Sequence, residues 1–161
     1  TLSLHDATVH ANPAFDAWAD RFASDWVRAS PERATFTQYF SGAEQAAFER
    51  ELTPNTVAQR DKRNALARRG LTELANLDEA AFTPTQRVGA ATLRWSLQRT
   101  LAASPFEDTF YGFSQQWGPQ VRYVNLLTQT QNLRKPSDVD AYLSRLSQVG
   151  TRILEALERE R

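Results

Sequence analysis

Phe15, Trp18, Ala19, Phe22 and Trp26 follow one another at steps of three and four, the spacing that gathers side chains on one helical face. Asn12-Pro13 precedes them as an N-cap with proline at the first helical position, so the pattern predicts a helix reaching about Ala29. Large aromatics at that spacing point to a core rather than to a cofactor box. Ahead of the helix, Thr1–Ala11 is polar and aperiodic; residues 1–12 read as an arm and 13–161 as a single helical domain.

The same punctuation recurs at Ser30-Pro31, Thr53-Pro54 and Thr83-Pro84, and Ser41 with Glu44 has the pattern of a capping box. The chain therefore predicts a helical turn near Pro31–Tyr39 and a short helix near Ala43–Leu52. A longer helix follows over Pro54–Asn76, with a thin apolar face of Val57, Ala67, Leu71, Leu74 and Leu77. Over Pro84–Ala103, Val88, Ala91, Leu93, Trp95, Leu97 and Leu101 cover two faces, which predicts a central, well-buried helix. The last helix takes Ser137 as its N-cap. Val139, Leu143, Leu146, Gly150, Ile153 and Leu157 form a seam along it at alternating steps of four and three, flanked by Tyr142 and Leu154. It carries neither a C-cap glycine nor a closing proline, the pattern of a helix that continues in a longer protein. No strand or hairpin signal is present. The expected fold is all-α, about six helices in an irregular bundle.

One stretch breaks the rhythm. Phe106–Gln131, FEDTFYGFSQQWGPQVRYVNLLTQTQ, holds six of the chain's seventeen aromatics interleaved with amides and is punctuated by Gly112 and Gly118-Pro119. Its aromatic content argues against disorder. It reads as one long structured loop without a helical period before Val121, with helix resuming over Val121–Gln131 after Pro119; the loop either packs as an irregular connection or presents hydrogen-bonding groups to a cleft.

Composition narrows the classes. Nineteen Lys and Arg balance nineteen Asp and Glu, so no general field favours nucleic acid. Arg60, Lys62, Arg63, Arg68 and Arg69 crowd one helix, but aromatics that would stack bases are missing there, and a solvated or acid-facing side is expected. No apolar run is long enough to span a membrane. Without cysteine there are no disulfides and no thiolate metal sites. Without methionine at position 1 the chain is expected to be processed or trimmed, as by removal of a signal peptide.

No catalytic constellation is visible. HExxH, GxSxG and phosphate-binding glycine loops are absent. His5 and His10 lie five apart in the arm, where a helical zinc pair needs a spacing of four. Adjacent acids such as Glu49/Glu51 and Glu107/Asp108 do not face one another on a helix. The residues alone assign this chain neither a catalytic group nor a metal ligand.

Three stretches together resemble the N-terminal part of a large bacterial family of zinc-dependent metallopeptidase-like proteins, domain-of-unknown-function family 885. They are FDAWADRFASDWVRASPERATFTQYF (Phe15–Phe40), LRWSLQRTL (Leu93–Leu101) and FSQQWGPQVRYVNLLTQTQNLRKPSDVDAYLSRL (Phe113–Leu146). The third is similar to the family's Gln-x-x-Gly-x-Gln loop, followed by a Ser/Thr-x-x-Asp-x-x-x-Tyr-Leu-x-Arg-Leu helix. The resemblance implies a fragment of a larger, mostly helical protein, in which this region walls a cleft. It also implies export or lipoprotein anchoring in the periplasm or cell envelope, although a cytoplasmic location fits the residues too. The family's HExxH lies later in the chain and is missing here, so zinc is implied for the full-length protein and no cofactor for this chain. What carries over is a substrate-binding loop of Gln115, Gln116, Trp117, Gly118 and Gln120, with Tyr123 beside it. Gly118 would permit a tight turn or a close approach to ligand.

Two functions follow. In the first, the chain is the substrate-side region of a zinc-dependent peptidase-like hydrolase, and its partners are the rest of its own polypeptide and a peptide substrate. In the second, it is a self-standing helical module that binds protein or peptide. A last helix cut off from its continuation would leave an apolar seam without its partner, which predicts homo-oligomers or marginal stability.

Overall fold

The computed structural model describes residues 11–109 and 111–160. Most of the arm, with His5 and His10, lies outside the described residues, as does Phe110. The fold is all-α: α1 (Pro13–Arg28), α2 (Pro31–Thr37), α3 (Gly42–Phe48), α4 (Val57–Ala75), α5 (Pro84–Ala103), α6 (Pro119–Asn125) and α7 (Pro136–Arg159). Among the described residues seven α-helices thus stand where the periodicity suggested about six. Two 3-10 segments (Glu79–Ala81 and Ser104–Thr109) and a π-helical turn (Leu126–Thr130) complete the fold. Among the described residues no helix is long and apolar enough to cross a membrane.

The first core lies between α1, α4 and α5. Asn12 caps α1 by accepting from the N–H of Ala14 at 2.9 Å. The aromatic face then packs as expected: Phe15 on Phe82 with ring centroids 4.8 Å apart, and Trp18 stacked on Phe22 at 5.4 Å. Each such burial contributes about 1.5–3 kcal/mol. Gly70 lets α4 approach, because a Cβ there would lie 2.3 Å from Phe22 Cε2. Gln86 ties α1 to α5: its side-chain carbonyl accepts from the N–H groups of Asn12 (3.0 Å) and Thr83 (3.1 Å) while its amide donates to Asp16 (2.7 Å).

Three sequence expectations are corrected here. α5 is not buried on two faces: Ala90 and Leu97 are in the core, but Val88 and Trp95 are exposed, because α1 and α4 both lie against one side. α4 begins at Val57 with Thr56 as its N-cap, not at Thr53-Pro54. Glu155 takes the backbone N–H of Asn55 at 2.8 Å, which holds the preceding residues out of the helix. α7 begins at Pro136 with Lys135 in the cap position, not Ser137. Lys135 has no side-chain acceptor to offer, so only half of a capping box forms, with Asp138 accepting from the N–H groups of Arg134 (2.9 Å) and Lys135 (3.1 Å).

The second core joins Leu52, Tyr123 and Leu126 to Val149 and Ile153 of α7. Around it α7 turns its polar side inward. α3 ends at Phe48, and the carbonyls that follow need acceptor-matched donors because they lack helical partners. α7 supplies them. Arg145 donates to Phe48 O (2.9 Å) and Glu51 O (2.9 Å), and Gln148 to Arg50 O (2.8 Å). Gln131, released by the π turn whose last bond runs from Gln131 N to Leu126 O at 2.9 Å, reaches Glu49 O at 3.2 Å. Arg145 is completely buried, with further bonds to Thr35 and to Gln131 Oε1 (3.2 Å). Burial lowers its pKa below the ordinary arginine value, and no carboxylate among the described residues pairs with it directly. A cation at the C-terminal carbonyls of a short helix is favourably placed against that helix's dipole.

Candidate functional site

α6 and the π turn occupy the second half of the long stretch, where the sequence has helix resuming after Pro119. In its first half, Ser114 organises the turn before α6. Its hydroxyl accepts from Trp117 N at 3.0 Å, and its carbonyl accepts from Gly118 N at 3.2 Å and from Gln120 Nε2 at 2.9 Å. Gly118 sits at φ −68°, an ordinary extended cap, so the turn itself does not demand glycine. A Cβ there would meet the Gln120 side-chain oxygen at 2.1 Å, but that is the end of a flexible, exposed side chain that can swing aside.

The expected site residues divide into two groups. Gln115, Gln116, Trp117 and Gln120 are exposed together on the surface, with Trp117 at 82% exposure, while Gly118 beneath them is buried. Tyr123 is not with them. Its ring is in the second core at 1% exposure, and its hydroxyl accepts from Asn55 Nδ2 at 2.7 Å. Phe106 and Tyr111 add to the exposed aromatic surface.

This loop is fastened to the last turn of α7. Gly112 N donates to Glu160 Oε1 at 3.0 Å, and Arg159 bonds Asp108 at 2.7 Å. Asp108 also pairs with Arg60 of α4. The hydrogen bond from Arg159, then that from Arg60, holds the Asp108 carboxyl below its usual pKa, and the same pairing raises Arg60. Arg63 pairs with Glu107, and Arg69 with Asp25, so the basic side of α4 faces acids.

From that junction an apolar stripe runs back along α7. Val139, Leu143, Leu146, Leu154 and Leu157 are all exposed, Leu154 at 62%, whereas Ile153 is half-buried. Gly150 lies within the stripe, and a Cβ added there would meet nothing within 4 Å. The periodicity identified this helix correctly, but the inward side is the one bearing Arg145 and Gln148, because α3's carbonyls require donors.

Two basic clefts lie away from the Gln115–Gln120 turn, although Glu107 and Arg122 of the long stretch line the smaller of them. The larger, about 950 Å³, opens between α1, α3, α4 and α7 and is edged by Arg28, Arg50, Lys62 and Arg152. The smaller, about 350 Å³, lies where the α1–α2 connection meets the residues before α4, and five arginines line it: Arg33, Arg60, Arg63, Arg122 and Arg159. None of Gln115, Gln116, Trp117, Gly118 or Gln120 lines either one. Sequence reasoning saw only Arg60 and Arg63, three apart on α4; Arg33, Arg122 and Arg159 join them from α2, α6 and α7 and share no spacing with them.

Among the described residues no group of three or more His, Cys, Asp or Glu side chains could hold a metal ion. No curated protein and no solved structure matches the chain. A family profile does: that of the bacterial protein of unknown function DUF885, over residues 31–161. α1 precedes the matched region, which takes in every other helix and the aromatic loop, and the chain belongs to this family.

Proposed function

We propose that this chain is the non-catalytic, substrate-side wall of a zinc-dependent peptidase-like hydrolase. The observation that carries the reading is the exposed stripe of Leu143, Leu146, Leu154 and Leu157 around Gly150. An apolar helix face of that length is ordinarily covered. Its connection to the aromatic loop through Glu160 and Arg159 makes one continuous surface. On this reading the stripe receives the rest of the polypeptide, and Trp117 with Gln115, Gln116 and Gln120 faces the substrate side of the cleft so formed. Amides there can pair with peptide backbone groups and Trp117 can flank a side chain. The zinc and its ligands belong to that other part, and an exported location belongs to the same reading.

The test is peptide hydrolysis by the full polypeptide that carries this chain, read against its zinc content. Hydrolysis lost on chelation and regained with zinc is expected. A zinc-free polypeptide without hydrolytic activity would leave the second reading, a helical module that binds peptides through the Trp117 loop. That reading is favoured by the way Arg145 and Gln148 close the fold without outside help.

A further inference from the structure

The smaller cleft has a charge imbalance that the chain as a whole lacks. Its five arginines face three carboxylates, Glu32, Glu107 and the adjacent Asp108, which leaves two positive charges in excess. Those carboxylates are already engaged. Glu32 accepts from Thr53 N at 2.9 Å and from the Thr53 and Ser30 hydroxyls, Glu107 holds Arg63, and Asp108 is shared between Arg60 and Arg159. Arg33 and Arg122 have no carboxylate within pairing distance among the described residues. Arg122 is nonetheless held in place. It donates to Asn55 Oδ1 at 3.1 Å and lies 5.2 Å from the centre of the Tyr123 ring. Arg159 Nε, on the same wall, is buried and finds no acceptor. Asn55 and Thr56 bring the start of α4, with the positive end of its dipole, to the cavity edge. Oriented guanidiniums in a semi-enclosed space favour oxyanions, because their planar donors match two oxygens at once.

We propose that this cavity binds a small oxyanion, the carboxylate of a peptide-sized ligand or a phosphate, with Arg122 as the anchoring donor and Arg33 at the rim. The site does not depend on the hydrolase reading and would serve a binding module equally well.

Calorimetric titration of the protein at low ionic strength tests it, with inorganic phosphate in one arm and N-acetyl-dialanine beside its C-terminal amide in the other. Saturable binding of phosphate, of the acid, or of both supports the site and tells which source supplies the oxyanion. Arg122→Gln and Arg33→Gln each weaken that binding by about tenfold. Arg68→Gln, exposed on α4 outside the cavity, leaves it unchanged. The proposal is overturned if neither anion saturates, if the amide binds as well as the acid, or if both cavity variants bind like the parent.

Discussion

Arg145 donates from Nη2 to the hydroxyl of Thr35 at 2.6 Å, across 110 residues of sequence, and both side chains are buried. The bond joins α7 to α2 at the point where α7 also caps the end of α3. This explains why the most amphipathic helix of the chain turns its polar side inward and leaves its leucines in water.

Arg145→Leu therefore removes the donor and strands the carbonyls of Phe48 and Glu51 with the Gln131 amide oxygen. The expected loss is about 3 kcal/mol or more, measured by urea denaturation. A loss under about 1 kcal/mol would show that water reaches these carbonyls.

Two glycines should respond in opposite directions. Gly70→Ala drives a methyl group into Phe22 and costs about 1–3 kcal/mol. Gly150→Ala meets open space on a helix and stabilises the chain by about 0.5–1 kcal/mol. Thermal melts of the two variants check both signs. Destabilisation by Gly150→Ala would mean that a second helix already packs there.

Trp117 and Tyr123 stood together as site residues in the sequence, and the structure separates their consequences. Trp117→Ala should change stability by less than about 0.5 kcal/mol while reducing peptide binding or turnover. Tyr123→Phe removes the acceptor for Asn55 and costs about 1 kcal/mol of stability. Urea melts beside a peptide-binding titration distinguish the two.

Asp108 gives the fold an acid dependence of known sign. Its carboxyl pKa is lowered in the folded chain by Arg159 and Arg60, below an unfolded value of about 3.9. The stabilisation is complete above that unfolded value and is lost as pH falls through the folded one. Asp108→Asn should thus be less stable than the parent at pH 7, modestly so because the group is exposed, and the two should converge under acid. Denaturation midpoints across the acid range test this, and parallel curves would contradict it.

How much was legible in the sequence depended on whether an element's reasons were local. α1 was readable because Asn12-Pro13 and the Phe15, Trp18, Phe22 spacing are local signals, and the structure uses all of them. α7 was readable as a helix for the same reason, but its orientation was not. That is decided by the unpaired carbonyls of Phe48–Glu51, nearly a hundred residues away. The start of α4 failed similarly, because the residue that holds Asn55 out of the helix is Glu155. Among the candidate site residues, local pattern placed the exposed amides and Trp117 on one loop. It could not tell that Tyr123, one helical turn on, points into a core built by Leu52 and Ile153. Of the arginine cavity only Arg60 and Arg63 showed, as part of a basic helix, since tertiary contact brings Arg33, Arg122 and Arg159 to them.

The central claim, that the α7 stripe is covered by the rest of a longer polypeptide, is tested most directly by thiol labelling. The chain has no cysteine, so Leu154→Cys introduces one reporter on the stripe, with Arg68→Cys as an off-stripe control. The account predicts rapid labelling at both positions in this chain, and protection of position 154 alone, by about tenfold or more, in the full polypeptide. Equal labelling of position 154 in the two proteins would contradict it.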